Sequence, residues 1–142
     1  MNEPVAAGYS RVYLIENGNV TYEESSGCVR LEKDILYLFP ATVPYSISHD
    51  PQNPLQCTWF HMDFFPVRLS GLIALSVHRD ETLLLLCRLI QKLFQMGKQD
   101  TEYGENAVLA LALYLQRNIF PISLFLLLVQ YVISGSITGN RS

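Results

Sequence analysis

The chain lacks the features that mark secreted, nucleic-acid-binding or disulfide-linked proteins. Its 142 residues include only three cysteines, Cys28, Cys57 and Cys87, an odd number with no C-x-x-C pair. Reduced thiols in a cytosol are the simplest account of that pattern, so we expect a cytoplasmic protein. The net charge of −3 argues against the basic face of a free-standing DNA-binding domain. Residues 1–7 lack the basic and apolar regions of a signal peptide.

Long hydrophobic runs are also missing. The most apolar stretch, Ile119 to Ile133, contains an uninterrupted run only from Leu124 to Val129 before Gln130 breaks it. A membrane-spanning helix needs about 20 apolar residues, so we expect a buried or pairing helix and no membrane contact. There is no G-x-S-x-G motif, no phosphate loop and no cysteine in a catalytic context, so we predict that the chain is not an enzyme.

What is present is an apolar fraction of 49% with 16% charged residues, typical of one globular domain with a real core. Short strands separated by turn residues fill the first half. Leu36 to Phe39 is stopped by Pro40, and Asn17-Gly18 favours a tight hairpin. The predicted strands are Tyr9 to Glu16, Val20 to Glu24, Cys28 to Leu31, Leu36 to Phe39, Tyr45 to Ser48 and Cys57 to Phe65. This pattern is typical of a β-sandwich or small barrel.

The second half is helical. Apolar residues recur at helical spacing from about Arg79 to Met96, where Asp80 or Thr82 can cap the start and Gly97 can end the helix. A second helix is predicted over Glu105 to Arg117 and a third over Ser123 to Ile133. We expect the small, polar residues from Ser134 to Ser142 to be frayed.

Candidate binding residues lie on one strand. Period-two alternation puts Trp59, His61 and Asp63 on one face and Thr58, Phe60, Met62 and Phe64 on the other. These three form the aromatic and polar wall of a small-molecule pocket, or else Trp59 fills the barrel while His61 and Asp63 satisfy one another or backbone groups. Tyr45, expected at the barrel mouth, either donates to a ligand or bonds a neighbouring loop. Arg11 shares a face with Tyr13, and we expect it to form a surface ion pair rather than a clamp on a ligand.

Three elements together resemble the amino-terminal cupin domain of AraC-family transcription regulators. They are Leu38-Phe39-Pro40, then Val43-Pro44-Tyr45, then Trp59-Phe60-His61-Met62-Asp63-Phe64 with Pro66 closing. The opening strand, Tyr13 to Gly18, is similar to that family's strand-then-glycine start. The resemblance covers the first half of the chain as strands and the helical remainder in order and type.

The resemblance implies a mainly β fold, a cupin-type jelly-roll barrel followed by two to three helices. It implies an amino-terminal arm (1–8), the β-barrel (9–66), a helical dimerisation region (67–118), and the helical start of a linker or of a missing DNA-binding domain (119–142). By the resemblance, the chain looks like a regulator truncated before its helix-turn-helix motifs. We therefore expect it to contact DNA only through a domain that this chain lacks.

By the resemblance, the function is ligand sensing and dimerisation in a transcription regulator that responds to a sugar or other small molecule. The family's sugar-contacting strand positions fall on Trp59 and His61. A position where the family can place a basic residue falls on Glu16, which argues against the same ligand. The alternatives are a cupin enzyme, such as a sugar isomerase using His61 and Asp63, and a ligand-free dimerisation scaffold.

No cofactor is expected. The cupin metal signature needs histidines after a glycine and after the proline turn, but Asn19 to Glu23 contains none and Tyr45 occupies the later position. His61 and Asp63 alone fall short of the three ligands of a catalytic zinc site.

We predict a homodimer through Leu109, Ala112 and Leu113, where alanine would let two backbones approach. The alternative is that this stripe packs on Leu86, Ile90 and Leu93 of the preceding helix.

Overall fold

The strands of the first half begin and end close to the predicted turns. The structure, a computed structural model, describes residues 6–63, 69–119 and 134–139. Its strands are β1 (Arg11–Asn17), β2 (Val20–Glu24), β3 (Gly27–Leu31), β4 (Ile35–Phe39), β5 (Ser46–His49), β6 (Leu55–His61), β7 (Ile73–Ser76) and β8 (Ser134–Gly139). A short 3-10 turn at Val77–Arg79 leads into the helices α1 (Glu81–Gln95) and α2 (Glu102–Asn118). The described part is therefore mainly β with two helices, as predicted.

The strands form two antiparallel sheets. The larger has the order β7-β4-β1-β6-β8, and the smaller has the order β3-β2-β5. Within the described ranges no strand of one sheet pairs with a strand of the other, so the barrel that the sequence predicts is not closed. The two sheets instead lie face to face, because each presents an apolar side that must be buried.

The larger sheet separates two cores, since alternate residues of each strand point to opposite faces. Val12 and Leu14 of β1 belong to the core shared with the helices, whereas Tyr13 and Ile15 belong to the core shared with the smaller sheet. In β6, Phe60 faces the helices and Trp59 faces the smaller sheet. The predicted alternation of this strand is confirmed.

The helices begin and end at residues with clear capping roles. The Asp80 carboxylate accepts a 2.8 Å hydrogen bond from the Leu83 amide at the start of α1, and Gly97 (φ +72°) follows its end. Both confirm the sequence prediction. Thr101 accepts from the Gly104 amide at the start of α2, three residues before the predicted start. Cys87 and Ile90 of α1 and Leu111 and Leu115 of α2 are fully buried against the larger sheet.

Two strands, β7 and β8, lie where the sequence predicts no strand. β7 lies in the stretch predicted as helical, and pairs with β4 through residues such as Leu75 opposite Leu36. Ser134–Gly139 forms a strand along β6, where the sequence predicts a frayed end. Its residues are small and polar, but the exposed edge of β6 offers them backbone partners. The predicted third helix (123–133), Phe64, Pro66 and the first five residues of the predicted arm lie outside the described residues.

Among the described residues, no helix combines the length and the apolar character needed to cross a membrane.

Candidate functional site

One end of the space between the two sheets is lined by an unusual group of side chains, here called the Arg11 cluster: Tyr9, Arg11, Tyr13, Tyr45, Trp59 and His61. β1 and β6 supply its floor. Their register places Arg11 directly opposite His61 and Tyr13 directly opposite Trp59. Because residues two apart on a strand share a face, both pairs point toward the smaller sheet.

Aromatic rings form the walls of the Arg11 cluster. The Tyr13 and Trp59 rings lie nearly parallel with centroids 6.2 Å apart, and Trp59 lies 5.8 Å from the His61 ring. Tyr9 covers His61 at 4.0 Å, and the neighbouring Gly8 amide donates to the Ala41 carbonyl. Tyr45 closes the cluster from the side of the smaller sheet, where it stacks on Tyr22 at 5.3 Å.

Arg11 carries the positive charge of this cluster. Its Nη2 donates a 2.8 Å hydrogen bond to the Tyr9 hydroxyl, and its guanidinium carbon lies 5.2 Å from the Tyr9 ring centre and 5.8 Å from that of Trp59. The residue is half-buried, and in the described part of the chain it forms no ion pair. The expected surface ion pair is therefore not what Arg11 makes: its strand position turns it inward.

Four buried polar atoms of the Arg11 cluster lack a hydrogen bond of acceptable geometry to any described residue: Arg11 Nε, Tyr45 Oη, Trp59 Nε1 and His61 Nε2. Only His49 Nδ1 and Gln99 Oε1 share that property among the described side chains, and neither belongs to the cluster. Since most buried polar atoms are satisfied, four together mark a place where another hydrogen-bonding group belongs.

Burial shifts the pKa values of the ionisable members. It lowers the pKa of His61, nearby Arg11 lowers it further, and Asp63 opposes both, so the imidazole is neutral at pH 7. Burial raises the pKa of Tyr13 to about 12 and also raises that of Tyr45, where Arg11 opposes the rise. For Arg11, burial lowers the pKa but the Tyr9 hydrogen bond and the neighbouring tyrosines outweigh it, and the net shift is upward. The cluster therefore holds one cation and no anion of its own.

The structure brings together three of the five predicted ligand-binding residues. Trp59, His61 and Tyr45 lie in the Arg11 cluster. Asp63 lies at its edge, where its Oδ1 accepts a 2.9 Å hydrogen bond from the Ser10 amide and ties β1 to the end of β6.

Glu16 lies apart from this group. It faces the helices, where it accepts a 2.7 Å hydrogen bond from the buried Thr58 hydroxyl. Thr58 occupies the opposite face of β6 from Trp59, so Glu16 is not brought to the cluster. The shift in pairing register between Ile15 and Asn17 lies at this end of β1.

Sequence reasoning missed Arg11, Tyr9 and Tyr13. The signal was present for two of them, since Arg11 and Tyr13 alternate with the apolar Val12 and Leu14. Only the packing of the smaller sheet shows that the polar face of β1 is also an inner face.

Of the three predicted dimer residues, one is buried in the structure and two are exposed. Ala112 is fully buried in the core against α1, so it cannot bring two chains together. Leu109 and Leu113 are 42% and 46% exposed, one turn apart on the outer side of α2. They are therefore not buried in the contact with α1 that the alternative prediction describes.

Two open grooves lie beside the smaller sheet, and no residue of the Arg11 cluster lines either of them. One, of about 260 Å³, is lined by Asn19, Thr21, Arg30, Ser48, His49 and Asp50. The described residues contain no group of three or more histidine, cysteine, aspartate or glutamate side chains that could hold a metal ion.

No protein-family model, curated protein or solved structure matches the chain. The Arg11 cluster is therefore the feature of the fold from which a function can be inferred.

Proposed function

We propose that this chain is the ligand-sensing and dimerisation module of an AraC-type transcription regulator, with its two sheets forming a cupin-type jelly roll. The single observation that carries the proposal is the set of four unpartnered polar atoms on Arg11, Tyr45, Trp59 and His61. A small molecule with a few polar groups would satisfy them. A site with apolar walls and few convergent polar groups is the usual form of a small-molecule pocket.

The composition of the walls supports a ligand that contains a ring. Tyr9 lies 4.0 Å from His61 and Tyr13 lies 6.2 Å from Trp59, measured between ring centroids, so aromatic rings make up most of the cluster. A sugar ring or an aromatic ring packs well on aromatic faces. The effector is therefore a sugar or other small ring-bearing molecule.

A route from the ligand to the helices supports a sensing role. Trp59 and His61 alternate along β6 with Phe60, whose ring lies 5.7 Å from that of Phe94 in α1. Interiors are close-packed, so a shift of β6 at the ligand changes the packing under the helices. A change in helix position is a signal that a DNA-binding domain can receive.

Two exposed leucine pairs support dimerisation through the helices. Leu109 and Leu113 of α2 and Leu85 and Leu89 of α1 are each 42% exposed or more. Such pairs, four residues apart on a helix, are typical of a surface that another helix covers. We place the module in the cytoplasm, where the exposed Cys28 thiol stays reduced.

Trp59 is the only tryptophan of the chain, so its fluorescence reports on the site directly. We expect a panel of neutral and charged sugars and small aromatic compounds to contain members that shift Trp59 emission and raise Tm together. His61→Ala should weaken the response about tenfold, as loss of one buried hydrogen-bonding partner does. His49→Ala is the matched control, because His49 lies outside the cluster.

A panel in which no compound shifts either Trp59 emission or Tm would favour the ligand-free scaffold. Equal responses of the His61→Ala and His49→Ala variants to an authentic ligand would move the binding site away from the Arg11 cluster.

A further inference from the structure

The charge and hydrogen-bonding character of the Arg11 cluster restricts the ligand further than its shape does. Arg11 Nε and Trp59 Nε1 can only donate hydrogen bonds, and the Tyr45 hydroxyl can donate. His61 Nε2, on a side chain only 8% exposed, donates or accepts according to its tautomer. A cluster rich in donors selects a ligand rich in acceptors.

The positive charge of Arg11 lacks a counter-charge among the described residues. Its contacts are with tyrosine hydroxyls and aromatic faces. Asp63, the carboxylate at the edge of the cluster, already accepts from the Ser10 amide. A half-buried guanidinium surrounded by neutral groups gains most from an anion, since charge-assisted hydrogen bonds are roughly twice as strong as neutral ones.

The geometry points to a ring-bearing carboxylate as the ligand, with its carboxylate on the guanidinium edge that contains Arg11 Nε and its ring against Trp59 and Tyr13. The inference rests on the proposed sensing function and narrows the class of ligand that is sensed. The planar fork of arginine matches a carboxylate in two parallel hydrogen bonds. Nη2 donates one of its two N–H groups to Tyr9, which orients the plane of the guanidinium. Nε, which has no partner among the described residues, and a remaining terminal N–H would supply the two hydrogen bonds to the carboxylate.

A neutral ligand would use this cluster poorly. A sugar hydroxyl both donates and accepts, but its donated hydrogen bonds would find few acceptors here. Binding sites for neutral hydroxylated rings commonly need carboxylate or amide acceptors, which the Arg11 cluster does not offer among the described residues. A sugar acid or an aromatic acid satisfies both the donors and the charge.

Matched pairs of compounds test the inference on the wild-type protein. Titration with galacturonate against galactose, and with benzoate against benzamide, is followed by Trp59 emission and Tm. We expect the acid of at least one pair to bind roughly tenfold or more tightly than its neutral partner. Binding of the acid should weaken as salt is raised, because screening acts on the ion pair and not on ring stacking.

Variants of Arg11 then assign the contact. Arg11→Gln should remove most of the difference within the pair, and Arg11→Lys should restore only part of it because an ammonium lacks the fork. Arg30→Gln is the matched control: it removes the same charge from an exposed arginine that contacts Asn19. Circular dichroism and Tm without ligand establish that each variant is folded.

Two outcomes overturn the inference in distinguishable ways. If neutral compounds bind as tightly as their acids, or bind alone, the ligand is not recognised by its charge and the sensing function stands. If neither acid nor neutral compound of any pair, nor any member of the wider panel, changes Trp59 emission or Tm, the inference and the sensing function fail together.

Discussion

Arg11 is a residue whose charge is unfavourable for folding but favourable for the proposed binding of a ligand. Moving a guanidinium out of water costs free energy that the hydrogen bond to the Tyr9 hydroxyl only partly recovers. The charge of Arg11 therefore stabilises the folded state little, whereas it would strongly stabilise a bound carboxylate. A group that is costly for folding but suited to binding is common at functional sites.

An Arg11→Met variant tests this balance. Methionine keeps much of the side-chain volume and removes the charge, so we expect its free energy of unfolding to be unchanged within about 1 kcal/mol or to rise. Leu14→Ala on the same strand should instead lose about 2–5 kcal/mol, because Leu14 is almost fully buried in the core with the helices. Urea unfolding measures both. A large loss for Arg11→Met would make Arg11 a structural residue.

His61 gives the fold a dependence on pH. Because burial lowers its pKa in the folded state, the unfolded state binds more protons below the ordinary pKa of histidine. The free energy of unfolding should therefore fall as pH is lowered from 7 toward 5. We expect His61→Gln to reduce this fall and His49→Gln to leave it in place, with urea unfolding at each pH as the measurement.

Asp34 acts in a lower range of pH and does not obscure that result. The hydrogen bond from Arg88 is the main cause of its lowered pKa, with His78 contributing. Its stabilising effect is present above the ordinary pKa of an aspartate and is lost as pH falls through the lowered value. The hydrogen bond from Tyr114 lowers the pKa of Asp80 as well, so a fall in stability confined to pH below about 4 would point to these carboxylates and not to His61.

At the scale of elements, β1 and β6 are the strands on which the proposed sensing would depend. Each presents the Arg11 cluster on one face and the core with the helices on the other, so neither can move without changing both. The turn between β1 and β2 is one point where the chain passes from the larger sheet to the smaller one, so these two strands do not pair and the tight hairpin predicted from Asn17-Gly18 is not formed. The geometry of this turn fixes how the two walls of the site face each other.

The turn between β1 and β2 can be tested by comparing two glycines that both have positive φ, Gly18 in this turn and Gly27 between β2 and β3. Gly18 (φ +107°) lies so close to β6 that an added Cβ would be 2.6 Å from the Pro54 carbonyl oxygen, whereas nothing lies within 4 Å of Gly27 (φ +149°). Both alanine variants carry backbone strain, but only Gly18→Ala adds overlap. We expect Gly18→Ala to lose about 1–3 kcal/mol more than Gly27→Ala in urea unfolding. Equal losses would mean that the chain relaxes around the overlap.

At the scale of the whole molecule, local pattern predicted more than long-range pairing. Pro40, Asn17-Gly18 and the alternation around Trp59 depend on neighbours in sequence, and the strands they predict are present. The hairpin predicted at Asn17-Gly18 is wrong, because β1 and β2 pair with other strands in different sheets. β7 was missed because Ile73–Ser76 is short and lies beside a strong helical pattern. The inward direction of Arg11 was missed because it depends on a sheet formed by other strands. Site residues on one strand could thus be predicted, and their partners across strands could not.

At the same scale, the proposed dimer would form through the outer surface of the helices. Leu113 is 46% exposed beside Leu109, so a charge there should leave the core intact and oppose contact with a second chain. We expect light scattering to find a dimer for the wild type and a folded monomer for Leu113→Glu. Val29→Glu is the matched control: Val29, 43% exposed on β3, lies on the smaller sheet away from the helices, and its variant should remain a dimer. A wild-type monomer at high concentration, or dimers of all three proteins, would exclude this helix face from dimerisation.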